Sequence, residues 1–146
     1  MHMDFAKFDQ MIDLDALRHD IDKAASGSGE YEEIPLGQYE VRVERLELKE
    51  SKSGKPMVSA WFKVIAGDYE GNMIFMNQVI VKPFQIHLMN QFLRSLKTPV
   101  TVDFVSYSDY AEVIGNVFGV AQTKEYALDY GERNGFKTFT IIEVFE

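Results

Sequence analysis

Apolar and polar residues alternate through the middle of the chain, which is the pattern of half-buried β-strands. The first stretch starts at Ile34, and its apolar positions reach Val43 before they shift by one residue to Leu46 and Leu48. Such a change of phase within one strand predicts a β-bulge. Bulges let a sheet curl towards a barrel, so this stretch favours a curved sheet over a flat one.

Two further strands are predicted at Met57–Ile65 and Met73–Lys82, and turn-rich segments at 51–56 and 66–72 precede them. The second strand separates an apolar side from a mixed side. The apolar side holds Val58, Ala60, Phe62 and Val64, and the mixed side holds Ser59, Trp61 and Lys63. We expect the apolar side to face the core and the mixed side to be functional or covered.

Helical spacing follows the third strand. Pro83 opens a predicted helix over 84–97, and the residues 100–104 could form a short extended piece. A second helix is predicted from Ser108 onwards, with a strand over 117–121 as the rival interpretation because two glycines weaken the helix.

Two closing strands are predicted at 124–130 and 136–145, and Asn134-Gly135 between them is a strong hairpin signal. The order is therefore β-β-β-α-(α)-β-β in a mainly β protein with helices. That order predicts an OB-fold-like five-stranded barrel with an N-terminal amphipathic helix. A small α+β sheet with packed helices is the alternative fold.

The N-terminal segment has a different pattern from the rest. Residues 4–25 predict an acidic amphipathic helix, and Ser26–Gly29 predicts a flexible linker. We therefore divide the chain into residues 1–29, the helix and linker, and residues 30–146, the OB-fold-like domain. The apolar side of the helix predicts either docking on the domain or self-association into a homo-oligomer.

Composition narrows the class of protein. The chain has 146 residues, 46% of them hydrophobic, and no cysteine. No apolar run approaches the roughly 20 residues that a membrane span needs, and no signal peptide is recognisable. We expect a soluble protein of the cytoplasm, without membrane contact.

The net charge of −8 is unevenly distributed. Residues 1–33 and 98–146 are acidic, whereas residues 42–97 hold nine Lys and Arg against five Asp and Glu. A locally basic region inside an acidic chain permits the binding of an anionic ligand.

Several motifs together resemble a family of phage proteins, catalogued as domain of unknown function 669 and regarded as single-stranded-DNA-binding-like. The motifs are Phe8-Asp9, Pro35–Val41, Lys52–Met57, Gly67–Gly71, Ile74–Gln78 and Ile142–Glu146. The resemblance implies an OB-type fold in a phage DNA replication or recombination module, inside the bacterial host cell. It also implies a place beside a recombinase, helicase or primase, and no catalysis.

Binding of single-stranded DNA needs exposed aromatic rings for stacking and cations that follow the backbone. The candidate stacking residues are Trp61, Phe75, Tyr126 and Tyr130. The candidate cations are Arg42, Lys49, Lys52, Lys55, Lys63 and Lys82. For Trp61 the alternative is that the N-terminal helix or a partner subunit covers it.

The sequence offers little support for an enzyme, a metal site or a cofactor. The three histidines lack ligand spacing, and no glycine-rich phosphate loop is present. We expect non-specific, non-enzymatic binding of single-stranded DNA. The alternative is a protein-interaction adaptor or inhibitor that uses its acidic surface, and a weaker one is oligosaccharide binding.

Overall fold

The computed structural model describes residues 34–145, which form one five-stranded antiparallel sheet and two helices. The elements in chain order are β1 Gly37–Glu50, β2 Pro56–Val64, β3 Met73–Val79, α1 Pro83–Ser95, α2 Tyr107–Ala121, β4 Glu125–Arg133 and β5 Phe136–Phe145. The strand order in the sheet is β3-β2-β1-β4-β5. The predicted helix over 4–25 and the linker lie outside the described residues, so the division into two domains stays a prediction.

The long first strand, β1, belongs to both halves of the sheet. Its N-terminal part pairs with β4 and the remainder pairs with β2. Val41 is the junction, because it pairs with Val64 on one side and with Tyr126 on the other. The register with β2 shifts between Val43 and Arg45, so the predicted bulge is confirmed. The bulge keeps Leu46 on the core side after Val43.

The core lies between the inner face of the sheet and the two helices. The predicted inner side of β2 is confirmed: Val58, Ala60, Phe62 and Val64 are all fully buried. The Phe62 ring stacks on Phe139 of β5 with centroids 6.4 Å apart and meets Phe92 of α1 edge-on at 6.0 Å. Because β1 and β4 separate β2 from β5 in the sheet, this contact requires a strongly curled sheet.

The sheet is not closed into a barrel, which corrects the predicted architecture. Among residues 34–145, β3 and β5 are the two edges and do not pair with each other. One physical reason is that β3 ends at Val79, short of the predicted Lys82, as the chain turns into α1. Helix α1 contacts both edge strands, and its buried residues Met89, Phe92 and Leu93 complete the core there.

Both helices are confirmed. Pro83 begins α1, and the Gln85 side chain accepts a hydrogen bond from the Lys82 N–H at 2.9 Å. The Ser106 side chain caps α2 by accepting from the Asp109 N–H at 3.1 Å. The rival strand over 117–121 is wrong, since those residues are helical, and residues 100–104 form no strand. Neither helix in the described part of the chain is long and apolar enough to cross a membrane.

Buried tyrosines tie the helices to each other and to the sheet. The Tyr110 hydroxyl of α2 donates to the Asn90 side chain of α1 at 2.5 Å, and burial raises the pKa of Tyr110 to about 12. The Tyr126 hydroxyl of β4 donates to the Leu96 carbonyl at 2.8 Å.

The closing hairpin is confirmed as well: Asn134 and Gly135 both have positive φ, 53° and 83°, as a type I′ turn requires.

Candidate nucleic-acid interface

The outer face of the sheet, opposite the core, carries a row of three side chains from adjacent strands. Arg45 of β1 pairs with Trp61 of β2, and Trp61 pairs with Phe75 of β3. The Trp61 and Phe75 rings meet edge to face, with centroids 5.5 Å apart and planes at 85°. We call these three residues the aromatic row.

Alternation along each strand explains why the row faces outward. Ile74 and Met76 point into the core and are 2% and 5% exposed, so Phe75 between them points outward and is 38% exposed. Trp61 lies between the buried residues Ala60 and Phe62 and is half-buried on the outer face. Alternation with these two core residues therefore places Phe75 on the outer face.

Arg45 is the member of the row that sequence reasoning missed. Its guanidinium carbon lies 4.6 Å from the centroid of the Trp61 ring, in cation–π geometry, and its Nη1 is 3.1 Å from the Glu47 carboxylate. An exposed cation–π contact contributes about 0.5–1 kcal/mol, and an exposed ion pair about 0.2–1 kcal/mol. The bulge was the available signal, because it sets the register that places Arg45 opposite Trp61.

Most of the predicted cations surround this row. Lys49 and Lys63 are exposed on the outer face of β1 and β2, on either side of the row. Lys52 and Lys55 are exposed in the β1–β2 turn. Lys82 is exposed at the same end of the sheet, just beyond Ile80, whose N–H donates to the Pro56 carbonyl at 3.0 Å.

Arg42 lies at the other end of the surface, opposite Lys63. Its Nη2 is 3.1 Å from the Glu125 carboxylate of β4, and both side chains are nearly half exposed. Both belong to an open cleft of about 610 Å³, which is also lined by Glu40, Lys63 and Glu70. The cleft holds charges of both signs, so Arg42 contributes less positive potential than the sequence suggested.

The candidate stacking residues Tyr126 and Tyr130 share a side of β4, and it is the core side. Tyr126 is fully buried and Tyr130 is 8% exposed, with its ring stacked on Phe139 at 5.6 Å. The prediction that these rings offer faces for base stacking is therefore wrong. Alternation along β4 shows that the two tyrosines lie on the same side of the strand. Which side faces the core depends on the helices that pack against the sheet.

A second region of the outer face is acidic. It is formed by the N-terminal part of β1 with β4 and β5, and its outward-facing acids are Glu40, Glu125, Asp129 and Glu143. We call this region the acidic half and the β1–β2–β3 region the aromatic half. No group of three or more acidic, His or Cys side chains that could hold a metal ion occurs within residues 34–145.

The fold and this surface define a mainly β protein with a curled antiparallel sheet, two helices and an aromatic, cation-flanked outer face. The chain belongs to the family described as Protein of unknown function (DUF669), whose family model matches residues 20–139. No curated protein matches the chain.

Proposed function

We propose that this protein binds single-stranded DNA without sequence preference, through the aromatic half of its sheet. The observation that carries the proposal is the pair Trp61–Phe75, which places two aromatic rings side by side on an outer sheet face. Lys49 and Lys63 flank the pair on the same face. Stacking rings with cations along the strand are the two components of non-specific single-strand binding.

The sheet supports an OB-like interpretation of the fold. OB folds are five-stranded, partly open Greek-key barrels that bind oligonucleotides on the face of strands 2 and 3 and with the loop between strands 1 and 2. Here the aromatic pair lies on β2 and β3, and Lys52 and Lys55 lie in the β1–β2 turn. The curled sheet, open between β3 and β5 with helices inserted before β4, is compatible with this architecture.

The energetics favour a single strand over a duplex. Each base stacked on an aromatic side chain contributes about 1–3 kcal/mol, and such stacking requires bases that are not already paired and stacked in a helix. The net charge of −8 opposes long-range attraction of DNA. Binding must then depend on short-range contacts in the aromatic half and weaken as salt increases.

Trp61 is the sole tryptophan of the chain, so its fluorescence reports directly on the proposed site. A titration with a poly(dT) oligonucleotide of about 30 nucleotides, a length chosen to exceed the 4–16 nucleotides bound per OB fold, tests the proposal. We expect saturable quenching that weakens with salt and is absent with duplex DNA of equal length. No quenching, together with no retarded band in a gel-shift assay, would exclude single-strand binding.

An accessory role in phage DNA replication or recombination, next to a recombinase, helicase or primase in the host cytoplasm, is part of this proposal. It is supported by the family resemblance of the motifs. Co-purification with such a partner from infected cells tests this role. Co-purification that survives DNase treatment would indicate direct binding to the partner, and co-purification that is lost after DNase treatment would indicate a shared DNA bridge. Homo-oligomer formation is tested by the mass in solution with and without residues 1–29.

A second candidate function is a protein-interaction adaptor or inhibitor. The acidic half favours it, because four outward-facing carboxylates on adjacent strands present a surface that repels DNA and attracts a basic partner. The double variant Lys52→Glu, Lys55→Glu separates the two functions. Loss of DNA binding by a folded double variant supports the first candidate function. Unaltered biological activity of the same variant supports the second, the protein-interaction function.

A further inference from the structure

We infer that Arg45 acts as an exchange residue in the aromatic half: it covers the Trp61 ring in the free protein and moves to a backbone phosphate when a base stacks there. The inference rests on the proposed function and specifies how the same site engages its ligand. Arg45, Trp61 and Phe75 are the residues concerned, and Glu47 is the competing partner of Arg45.

The first step of the argument is steric. Trp61 stands between Arg45 on the β1 side and Phe75 on the β3 side, because β2 is the middle strand of the three. The guanidinium lies over the ring at 4.6 Å, and the Phe75 ring meets Trp61 edge to face at 5.5 Å. A nucleobase reaches the covered face of Trp61 only after the guanidinium has left it.

The second step concerns what holds Arg45 in place. Within residues 34–145, Arg45 makes a cation–π contact with Trp61 and an ion pair with Glu47 at 3.1 Å. The Arg45 and Glu47 side chains are 50% and 39% exposed, so water and salt weaken the pair. DNA can replace both contacts. A base can stack on the Trp61 ring in place of the guanidinium, and a phosphate can pair with Arg45 in place of the Glu47 carboxylate.

Glu47 then functions as a carboxylate that competes with phosphate for Arg45. Its cross-strand neighbour is the uncharged Ser59, and its ion-pair partner is Arg45 at 3.1 Å. Removing the Glu47 charge should release Arg45 for the ligand. The exchange makes affinity at this site depend on the Arg45–Glu47 pair and not on Trp61 alone.

The test compares the salt dependence of poly(dT) binding in the full-length protein and two variants, with Trp61 fluorescence as the readout. In Arg45→Ala we expect the slope of log K against log salt to become less steep by about 0.7, the value for one phosphate contact to a single strand. The quenching amplitude should persist, because Trp61 is still reached. In Glu47→Gln we expect binding about twofold to fivefold tighter at low salt.

Matched controls remove equal charges elsewhere. Lys97→Asn removes a cation on the helix side of the molecule, at a positive φ that Asn tolerates, and should leave the slope unchanged. Glu44→Gln removes the exposed acid at the bulge and should tighten binding less than Glu47→Gln does.

If wild-type protein binds but Arg45→Ala keeps the full slope, or Glu47→Gln and Glu44→Gln bind equally, the exchange is refuted while the proposed function stands. If wild-type protein does not bind, the proposed function itself fails.

Discussion

The two halves of the outer sheet face differ although one strand, β1, runs through both. In the aromatic half, two rings and the cations Arg45, Lys49 and Lys63 face outward beside Glu47, and β1 also exposes Glu44 at the bulge and Glu50 at its end. In the acidic half, four carboxylates face outward, and the aromatic residues on that side, Phe136 and Phe145, lie on the edge strand β5. Arg42 and Glu125 form an ion pair where the halves meet.

The difference between the halves shows that the net charge of the whole chain does not describe the local charge of either surface. A charge of −8 for the whole chain argues against an anionic ligand. At the positions that share a face with Trp61, β2, β3 and the second part of β1 carry the bases Arg45, Lys49 and Lys63 and the acid Glu47. Under the proposed function, this separation of charge on one sheet would give a DNA strand a defined place to bind and an adjacent surface that repels it.

The first prediction concerns the stability of the strand that both halves share: it deletes Glu44, the residue at the bulge of β1. Without the extra residue β1 becomes a regular strand, in which Arg45 still lies opposite Trp61 and Leu46 still faces the core, but the bend and added twist of the bulge are lost. Because the curl of the sheet brings Phe62 of β2 against Phe139 of β5, we expect a straighter β1 to cost about 1–3 kcal/mol of stability. Urea unfolding followed by circular dichroism measures this loss of stability.

Glu44→Ala is the control for the deletion, because it keeps the bulge and removes an exposed side chain. We expect its free energy of unfolding to stay within about 0.5 kcal/mol of the wild type. A deletion variant as stable as Glu44→Ala would show that the bulge is not needed for the curl of the sheet.

The second prediction removes one ring from the aromatic half. Phe75→Ala should weaken poly(dT) binding by about 1–3 kcal/mol, which corresponds to roughly 5-fold to 160-fold, because one stacking platform is lost. Fluorescence anisotropy of a labelled oligonucleotide measures the affinity. Phe84→Ala, at a 59% exposed position on α1, should bind as the wild type does. Equal losses in both variants would refute a specific role of the sheet face.

The third prediction exchanges charge between the halves. Lys63→Glu should weaken binding and reduce the salt slope by about 0.7 or more, because a phosphate contact is replaced by repulsion. Asp129→Lys makes an equal and opposite change in the acidic half and should alter the slope little. A larger effect of Asp129→Lys than of Lys63→Glu would place the DNA on the acidic half.

The smallest predicted effect concerns Tyr126, which the structure removes from the candidate stacking residues. Tyr126→Phe deletes the hydroxyl that donates to the Leu96 carbonyl and should cost about 1–2 kcal/mol of stability. DNA affinity below the unfolding range should not change, since the ring is fully buried. Weaker DNA binding by a fully folded Tyr126→Phe protein would contradict this placement.

The sequence predicted most of the elements because local periodicity determines them. The alternation of β2, the bulge in β1, Pro83 at the start of α1 and the Asn134-Gly135 turn each have a local physical signature, and each is confirmed. Closure of the sheet has no such signature. It depends on how far β3 extends and on where α1 packs, which are properties of the whole core.

The candidate site was predictable to the same extent. Trp61 and Lys63 could be assigned to one face because alternation along a single strand reveals which side chains share a face, and their role in binding stays a prediction. Arg45 was missed because its position relative to Trp61 depends on the pairing of two strands. Tyr126 and Tyr130 were misplaced because alternation identifies two sides of a strand but not which of them the helices cover.

The two partners of Val41 also have a consequence for the order of folding. Val41 meets Val64 by closing a short stretch of chain, whereas it meets Tyr126 only after a stretch several times longer has been closed. Local contacts form faster than distant ones because closing a long loop costs more entropy. We expect pulsed hydrogen exchange during refolding to protect the amides of β2 and β3 before those of β4. The aromatic half would then assemble as a hairpin meander, and the acidic half would be added to it last.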